Sequence, residues 1–398
     1  MFTFKRISSL ALLVIIGFVS WRAYDHFFDT TTPDVTVSGI ESEHSYCGQM
    51  NCAITSSKSG SVSVWLDDKP LIEKFSIARG AHEHPFVIPT RTMPNGTHRF
   101  KLELIDGTYH QNKTTEERTF LVDNTPLQAY LLVPETEHRV LQGRTLHVQF
   151  QVNKDIERAT VSALSNNYEC VPETKNSRVY EAFIPIACEE KPSEYLYTVD
   201  IADHVGNAMA LENKFQVVPF PFKRQTLTIS DEKVRSEEEL GRNGDELDEV
   251  IARLSEQSPR QKLWRGEFCT PIDVQRVTCD FGTVRTTQHK GRYAHKALDI
   301  INTPKSVVWA TQEGVVALKD RFASSGNTVI IDHGCGVLSM FFHLDSFARI
   351  EEGQKIAKGK PIGTLGKTGY ASGYHLHWEM RVGNIPVDPM QWTKSVLT

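Results

Sequence analysis

Short runs of alternating apolar and polar residues fill the chain from about Thr32 to Phe220, and they constrain its fold more than any other feature. SVSVWL (61–66), HRFKLELI (98–105), RTLHVQFQV (144–152) and YLYTVDIA (195–202) each place every second side chain on one face, the period of a half-buried strand. Turn residues such as Pro94-Asn95-Gly96 and Ile105-Asp106-Gly107 separate the runs. Strands at this spacing, with no helical period between them, predict β-sandwiches. At 398 residues the chain is too long for one ordinary domain.

The segment VDNTPL (122–127) resembles the linker at which bacterial immunoglobulin-like domains abut. A second set of strands follows it to about Val217. We therefore expect two immunoglobulin-like sandwiches, over 32–123 and 124–220. After FPFKR (220–224) the composition turns to Glu, Asp, Arg and Ser, with few β-branched residues. Leu247, Val250, Ile251 and Leu254 form an apolar helical stripe. Ser236 and Glu239 have the spacing of a capping box, and Gly241 and Gly244 are expected to split the segment into two short helices. The segment 221–262 reads as a solvated helical linker rather than as an arm lying on the next domain. From 263 to 398 the chain is punctuated by glycine and rich in strands, which predicts a small, mostly antiparallel β domain. The fold class expected is mainly β.

At the N-terminus, Lys5 and Arg6 precede an apolar run from Ile7 to Trp21, the layout of an export signal. No small-x-small cleavage site follows the run. We read residues 1–31 as a cytoplasmic stub and an uncleaved signal anchor, with a cleaved signal peptide as the alternative. The basic flank places everything after Arg22 outside the cytoplasm. The expected location is thus the inner membrane, single-pass, with the bulk of the chain in the periplasm. Seven cysteines suit such a compartment, and the near neighbours Cys47/Cys52, Cys170/Cys188 and Cys269/Cys279 are expected to pair as disulfides, leaving Cys335 as a buried free thiol. The net charge of −5, with no basic stripe, excludes a nucleic-acid partner.

Three stretches carry chemistry: His295-Lys296-Ala297-Leu298-Asp299, Phe341-Phe342-His343-Leu344 and His375-Leu376-His377. Histidine and carboxylate are ligands that zinc accepts in hydrolytic sites, which keep three protein ligands and leave the fourth position to water. Residues i and i+2 of a strand face the same way, so His375 and His377 can converge on one region. Strand parity puts Tyr374, Leu376 and Trp378 on a core face and Gly373, His375, His377 and Glu379 on the other. Fully extended, His295 and Asp299 would lie about 13 Å apart, so HKALD must turn if both bind one ion. Glu379 is either an acceptor that orients His377 or a plain surface carboxylate. His333 reads as structural, and His82 and His84, with no further ligand motif nearby, as a solvated loop.

In this order the motifs resemble those of the M23 family, the zinc metallopeptidases of the lysostaphin and LytM type that cut peptidoglycan. The family pattern, H-x-G-x-D, Gly-Asn-x-Val-x-x-x-His-Gly, aromatic-x-H-L and Gly-x-x-x-x-Gly-x-H-L-H, is met by HKALD, GNTVIIDHG (326–334), FFHL and GKTGYASGYHLHWE (366–379). VDPMQW matches the family's closing segment, so the resemblance covers about 265–393. It implies that His295, Asp299 and His377 bind Zn2+ and that His343 and His375 assist catalysis, with either one as general base or general acid. Two positions depart from the pattern: Ala297 replaces glycine, which matters if that residue needs positive φ, and Phe341 stands where tyrosine is common.

The resemblance implies a zinc-dependent endopeptidase that hydrolyses the peptide cross-links of bacterial peptidoglycan. Its expected partners are the peptidoglycan peptide, the inner membrane through the anchor, and a protein bound by the sandwiches. The alternative is a non-catalytic regulator that activates amidases, as some relatives that have lost zinc ligands do.

Overall fold

The computed structural model describes residues 3–132, 138–227, 246–287 and 291–394, with the side chains of 3–12, 81, 82, 227 and 287 outside the description. Strands dominate, as the alternation predicts, and the chain is mainly β. It forms two compact units, one of residues 1–126 with 204–207 and one of residues 127–203 with 208–398.

The first unit begins with a helix over Thr3–Phe28. The apolar run expected to anchor the chain falls partly outside the described side chains. From Leu13 onward the apolar side chains of the helix are exposed. Among the described residues, no helix is long and apolar enough to cross a membrane. The rest of the unit is a three-stranded and a five-stranded sheet around one core. In the strand Gly96–Asp106 the inward set is His98, Phe100, Leu102, Leu104 and Asp106, as the alternation requires. The two polar members are buried only because both are partnered: His98 bonds Asp67 at 2.7 Å and the Pro94 carbonyl at 2.8 Å, and Asp106 takes Lys58 at 3.2 Å.

The second unit opens with another sandwich, a five-stranded and a four-stranded sheet around Phe150, Ile184, Tyr197 and Phe215. It continues into the C-terminal region, whose main sheet has eight strands. Along that sheet Arg276–Cys279, Leu298–Ile301, Leu376–Val382, Val337–Leu344 and Gly326–Asp332 lie side by side, each antiparallel to the next. All eight residues of Val337–Leu344 are buried because both faces are covered. One face joins Trp378, Leu376 and Phe341 in the main core. The other receives Leu247 and Ile251 from a helix over 246–257, against Ile330, Leu338, Met340 and Phe342.

That packing corrects the reading of 221–262 as a solvated linker. The apolar stripe found in the sequence is buried, at about 1.5–3 kcal/mol for each fully buried side chain of this size. Residues Arg224–Leu227 of the same segment form an edge strand, parallel to Val284–Thr287. The proposed capping box and both glycine breaks lie outside the described residues.

The disulfide expectation is also corrected: all seven cysteines are free, Cys335 as expected, though half-buried rather than buried. The reason is direction. Cys47 is exposed while Cys52 points into the core of the first sandwich. Cys269 turns to the carbonyls of Ala310 and Thr311, whereas Cys279 sits beside His295 and Asp299. Cys170 and Cys188 are separately buried thiols, each pushed up to about 12 by burial.

Candidate metal centre

Register builds the site. Directly opposed residues of antiparallel strands present their side chains to one face, and across four neighbouring strands Cys279 stands opposite Asp299, Asp299 opposite His377 and His377 opposite Phe342. The row runs along the face that carries the 246–257 helix farther up. Strand parity holds as read: Leu376, Trp378 and Met380 are fully buried in the core on the other face.

His295 joins the row from its side. The strand Gly291–Ala294 ends just before it, and the chain bends at Ala297 before Leu298–Ile301 begins. The turn that HKALD required is therefore made, and it brings His295 Nε2 to 3.2 Å from Asp299 Oδ2. Ala297 is fully buried and is not among the residues of positive φ, so its methyl is accommodated without strain. His377 Nδ1 lies 3.1 Å from the other carboxylate oxygen, Oδ1. Two imidazole nitrogens thus converge on one carboxylate.

His343 arrives by a different device. It follows Phe342 at a register shift between Val337–Leu344 and Gly326–Asp332, and its φ is +62°, a conformation that non-glycine residues rarely adopt. Its Nδ1 donates to the Thr368 carbonyl at 2.9 Å. The loop carrying Thr368 is clamped in turn: a Cβ on Gly366 would meet the Asp345 nitrogen at 2.2 Å, and one on Gly326 would meet Thr368 at 2.4 Å. Only glycine permits that approach. His375 Nδ1 donates to the Gly373 carbonyl at 2.9 Å. A carbonyl only accepts, so both rings carry their proton on Nδ1 and keep Nε2 for other work. The two rings are 4.8 Å apart, and His343 is 5.9 Å from His377.

Neighbours set the electrostatics. Burial opposes ionisation of Asp299, but hydrogen bonds from His295 and His377 outweigh it and hold the carboxyl far below the usual range. Arg285 adds a guanidinium at 3.5 Å. Burial would lower the pKa of His295; its hydrogen bond to Asp299 outweighs that and raises it to about 9. His343 is pushed down to about 3 by burial and by the nearby His377 and His375, and is therefore neutral at pH 7. Glu379 is buried, not a surface carboxylate. It lies 3.5 Å from His377 Nε2 and is paired with Arg381 at 2.6 Å, and Arg381 reaches Asp248 of the 246–257 helix at 3.1 Å.

The five residues singled out in the sequence thus come together. His333 does not join them: fully buried, it bonds the Glu313 carbonyl at 2.6 Å and Ser339 at 2.8 Å, a structural role. The solvated loop expected at His82 and His84 is instead the strand Gly80–Ile88, where His84 takes the Ala78 amide and stands 5.9 Å from the Phe75 ring, and among the described residues no metal-ligand group forms there. Phe341 packs into the core, so a tyrosine hydroxyl there would not reach the site; the next residue, Phe342, stacks on His377 at 5.0 Å. Sequence reasoning missed Cys279, Arg285 and the Arg381–Asp248 link. The first was hidden by its assignment to a disulfide.

The donors fit zinc. His295 Nε2, His377 Nδ1 and the Asp299 carboxylate could supply the three ligands that a hydrolytic zinc site needs, with Glu379 placed on the far nitrogen of His377 to orient it.

Residues 293–389 match the sequence model of Peptidase family M23. The chain is 32% identical over 121 residues to the peptidoglycan DD-endopeptidase ShyC of Vibrio cholerae, covering 30% of this chain and 28% of that protein. It is 33% identical over 121 residues to the DD-carboxypeptidase/endopeptidase Mpg of Neisseria meningitidis, covering 30% and 27%. It is 32% identical over 124 residues to the murein hydrolase activator NlpD of Escherichia coli, covering 31% and 32%. The matched stretch spans less than a third of the length of these relatives. Among solved structures, a putative peptidase M23 from Pseudomonas aeruginosa has a TM-score of 0.48 at 22% identity, covering 64% of this chain and 96% of that one. His295, Asp299, His343, His375 and His377 all lie within the stretch 293–389 that matches the Peptidase family M23 model.

Proposed function

We propose that the protein is a zinc-dependent endopeptidase that hydrolyses peptide cross-links of peptidoglycan. The observation that carries the reading is the convergence of His295 Nε2 and His377 Nδ1 on the Asp299 carboxylate, with His343 and His375 beside them, both held through Nδ1, and His375 Nε2 turned to Asp299 Oδ1 at 3.9 Å. Zinc, when bound, polarises the scissile carbonyl and lowers the pKa of water. The chain's own groups do the rest. His343, neutral and held by Thr368, accepts the proton of the attacking water at Nε2. His375 Nε2 faces the same space and serves the leaving amine or the developing oxyanion. Glu379, locked by Arg381, keeps the His377 ring in place.

The peptide substrate follows from the names of the relatives, two of which are endopeptidases. The activator reading draws on NlpD, yet all five polar residues that it could dispense with are present here. We further propose that the apolar N-terminal helix, its side chains exposed from Leu13, anchors the protein in the inner membrane with the remainder in the periplasm. The two sandwiches then set the distance from membrane to wall and offer surface for a protein partner.

The test uses the purified full chain. Elemental analysis should find one zinc per chain, and digestion of cross-linked muropeptides should release monomers. His377→Ala should lose activity, and His343→Ala should keep the metal while cleavage falls by about 10²-fold or more. Undiminished muropeptide release by His377→Ala would sink the reading.

A further inference from the structure

Cys279 takes no part in the chemistry proposed above, yet it occupies the next place in the row beyond Asp299. Its sulfur, a ring nitrogen of His295 and a carboxylate oxygen of Asp299 all lie within 4.8 Å of one another, and all three residues are buried. A second observation points to the same place. His295 is 6% exposed, and its buried Nδ1 makes no hydrogen bond of good geometry; the Cys279 thiol is a polar group that interacts with the ring besides Asp299. A thiol and an imidazole nitrogen beside a carboxylate are a donor set for a borderline or soft divalent ion.

Cys279 and His377 cannot share one ion as the strands stand. They flank Asp299 on opposite sides, so one whole strand separates them. At about 4.8 Å between neighbouring strands they are roughly 9.6 Å apart. His377 is not among the residues whose ligand atoms gather within 4.8 Å of the thiol.

We propose a second, mutually exclusive metal position in which Cys279 takes the place of His377 and the ion is held by Cys279, His295 and Asp299. It rests on the reading of His295 and Asp299 as metal donors. Binding there releases the thiol proton to solvent and forms a metal–thiolate bond with no change of oxidation state. An ion so held is displaced along the row away from His377 and from the side on which His343 and His375 stand, so the position is non-catalytic. It favours thiophilic ions such as cadmium over harder ones such as manganese.

Cobalt(II) titrated into the metal-free full chain tests this without any appeal to activity. A thiolate ligand gives a sulfur-to-cobalt charge-transfer band in the near ultraviolet, which nitrogen and oxygen ligands do not. The wild type should show the band. Cys279→Ser should lose it while keeping the visible cobalt bands of the His295/Asp299/His377 position. His377→Ala, which leaves only the thiolate position, should keep it. A wild type that binds cobalt without the band overturns the proposal and leaves the peptidase reading standing, as does a band that survives Cys279→Ser. A band present in a chain that releases no muropeptides sinks the peptidase reading alone. No cobalt binding at all sinks both. The wild-type measurement decides even where a variant fails to fold.

Discussion

The two sandwiches arise from the same alternation and differ in where their outward side chains go. The first buries a core made of its own strands, from Val37 to Val122. The second does this too, but it also sends residues across to the C-terminal region. Phe183 enters the main core there, 5.4 Å from Trp264 and 5.6 Å from Trp392. Thr145 and the Gln391 amide exchange two buried hydrogen bonds of 2.8 and 2.9 Å. Glu181, fully buried, takes Lys262 at 2.7 Å and His147 at 2.8 Å. An apolar side chain on the outer face of a sheet reads as a loose end until its partner is found. Here the partner is the domain that holds the metal centre, and the second sandwich is part of its support.

The sharpest way to break that contrast is to remove one core phenylalanine from each sandwich. Phe183→Ala should destabilise the second unit by about 3–5 kcal/mol and lower the temperature at which peptidase activity is lost on heating. Phe100→Ala, at a fully buried site of the first sandwich, should cost about as much in the calorimetric transition of its own unit. It should leave the thermal inactivation profile of the peptidase unchanged. Equal effects of the two changes on inactivation would remove the distinction.

Two buried histidines, one in each unit, respond to acid with opposite sign. Burial pushes His333 in the second unit down to about 4. The unfolded chain takes up that proton near pH 6.5, so this contribution is complete above 6.5 and is lost as pH falls towards 4, by about 3 kcal/mol in all. In the first sandwich burial alone would lower His98, but its bonds to Asp67 and Pro94 outweigh burial and raise it. That contribution is complete below pH 6.5 and is lost as pH rises through the folded value. Between pH 8 and pH 5.5 His333 therefore costs the second unit stability, as does His343, while His295, raised to about 9, acts in the opposite sense, so the His333 share is read as the difference between wild type and a His333 variant. His333→Gln, which retains hydrogen bonding without a titratable ring, should flatten the response of the second unit. An unchanged slope in that variant would show that His333 is not its source.

How far the sequence could be read follows from the range of the interactions. Strand parity around HLHWE and the turn in HKALD are local, and both were legible before any contact was known. The burial of Leu247 and Ile251 was visible as a stripe, but what covered it was not. The run Val337–Leu344, apolar except for Ser339 and His343, was the available hint that its sheet was covered on both faces. Cys279 was misassigned because nearness in sequence suggested a bond with Cys269, whereas strand register turned it towards Asp299. The pairing of Thr145 with Gln391 spans 246 residues, and no periodicity encodes it.

The smallest effect expected concerns charge. Lys262→Met removes one partner of the buried Glu181 but leaves His147 at 2.8 Å, so part of the carboxylate's solvation survives. A loss of about 1–2 kcal/mol is expected, read from chemical denaturation of the second unit. Lys113→Met in the first sandwich breaks a pair that is just as close, 2.5 Å to Glu103, but its lysine side chain is 51% exposed. Water replaces what is lost there, so the change should stay within about 1 kcal/mol. Glu181 also makes the Lys262 effect depend on pH. Burial pushes its carboxyl up, while His147 and Lys262 outweigh burial and hold it low. Its contribution is present above the ordinary glutamate range and fades as pH falls through the lowered value. Removing Lys262 should start that fading at a higher pH. A variant whose acid profile overlays that of the wild type would mean that His147 alone holds the charge, and that this ion pair is not what joins the second sandwich to the metal-bearing domain.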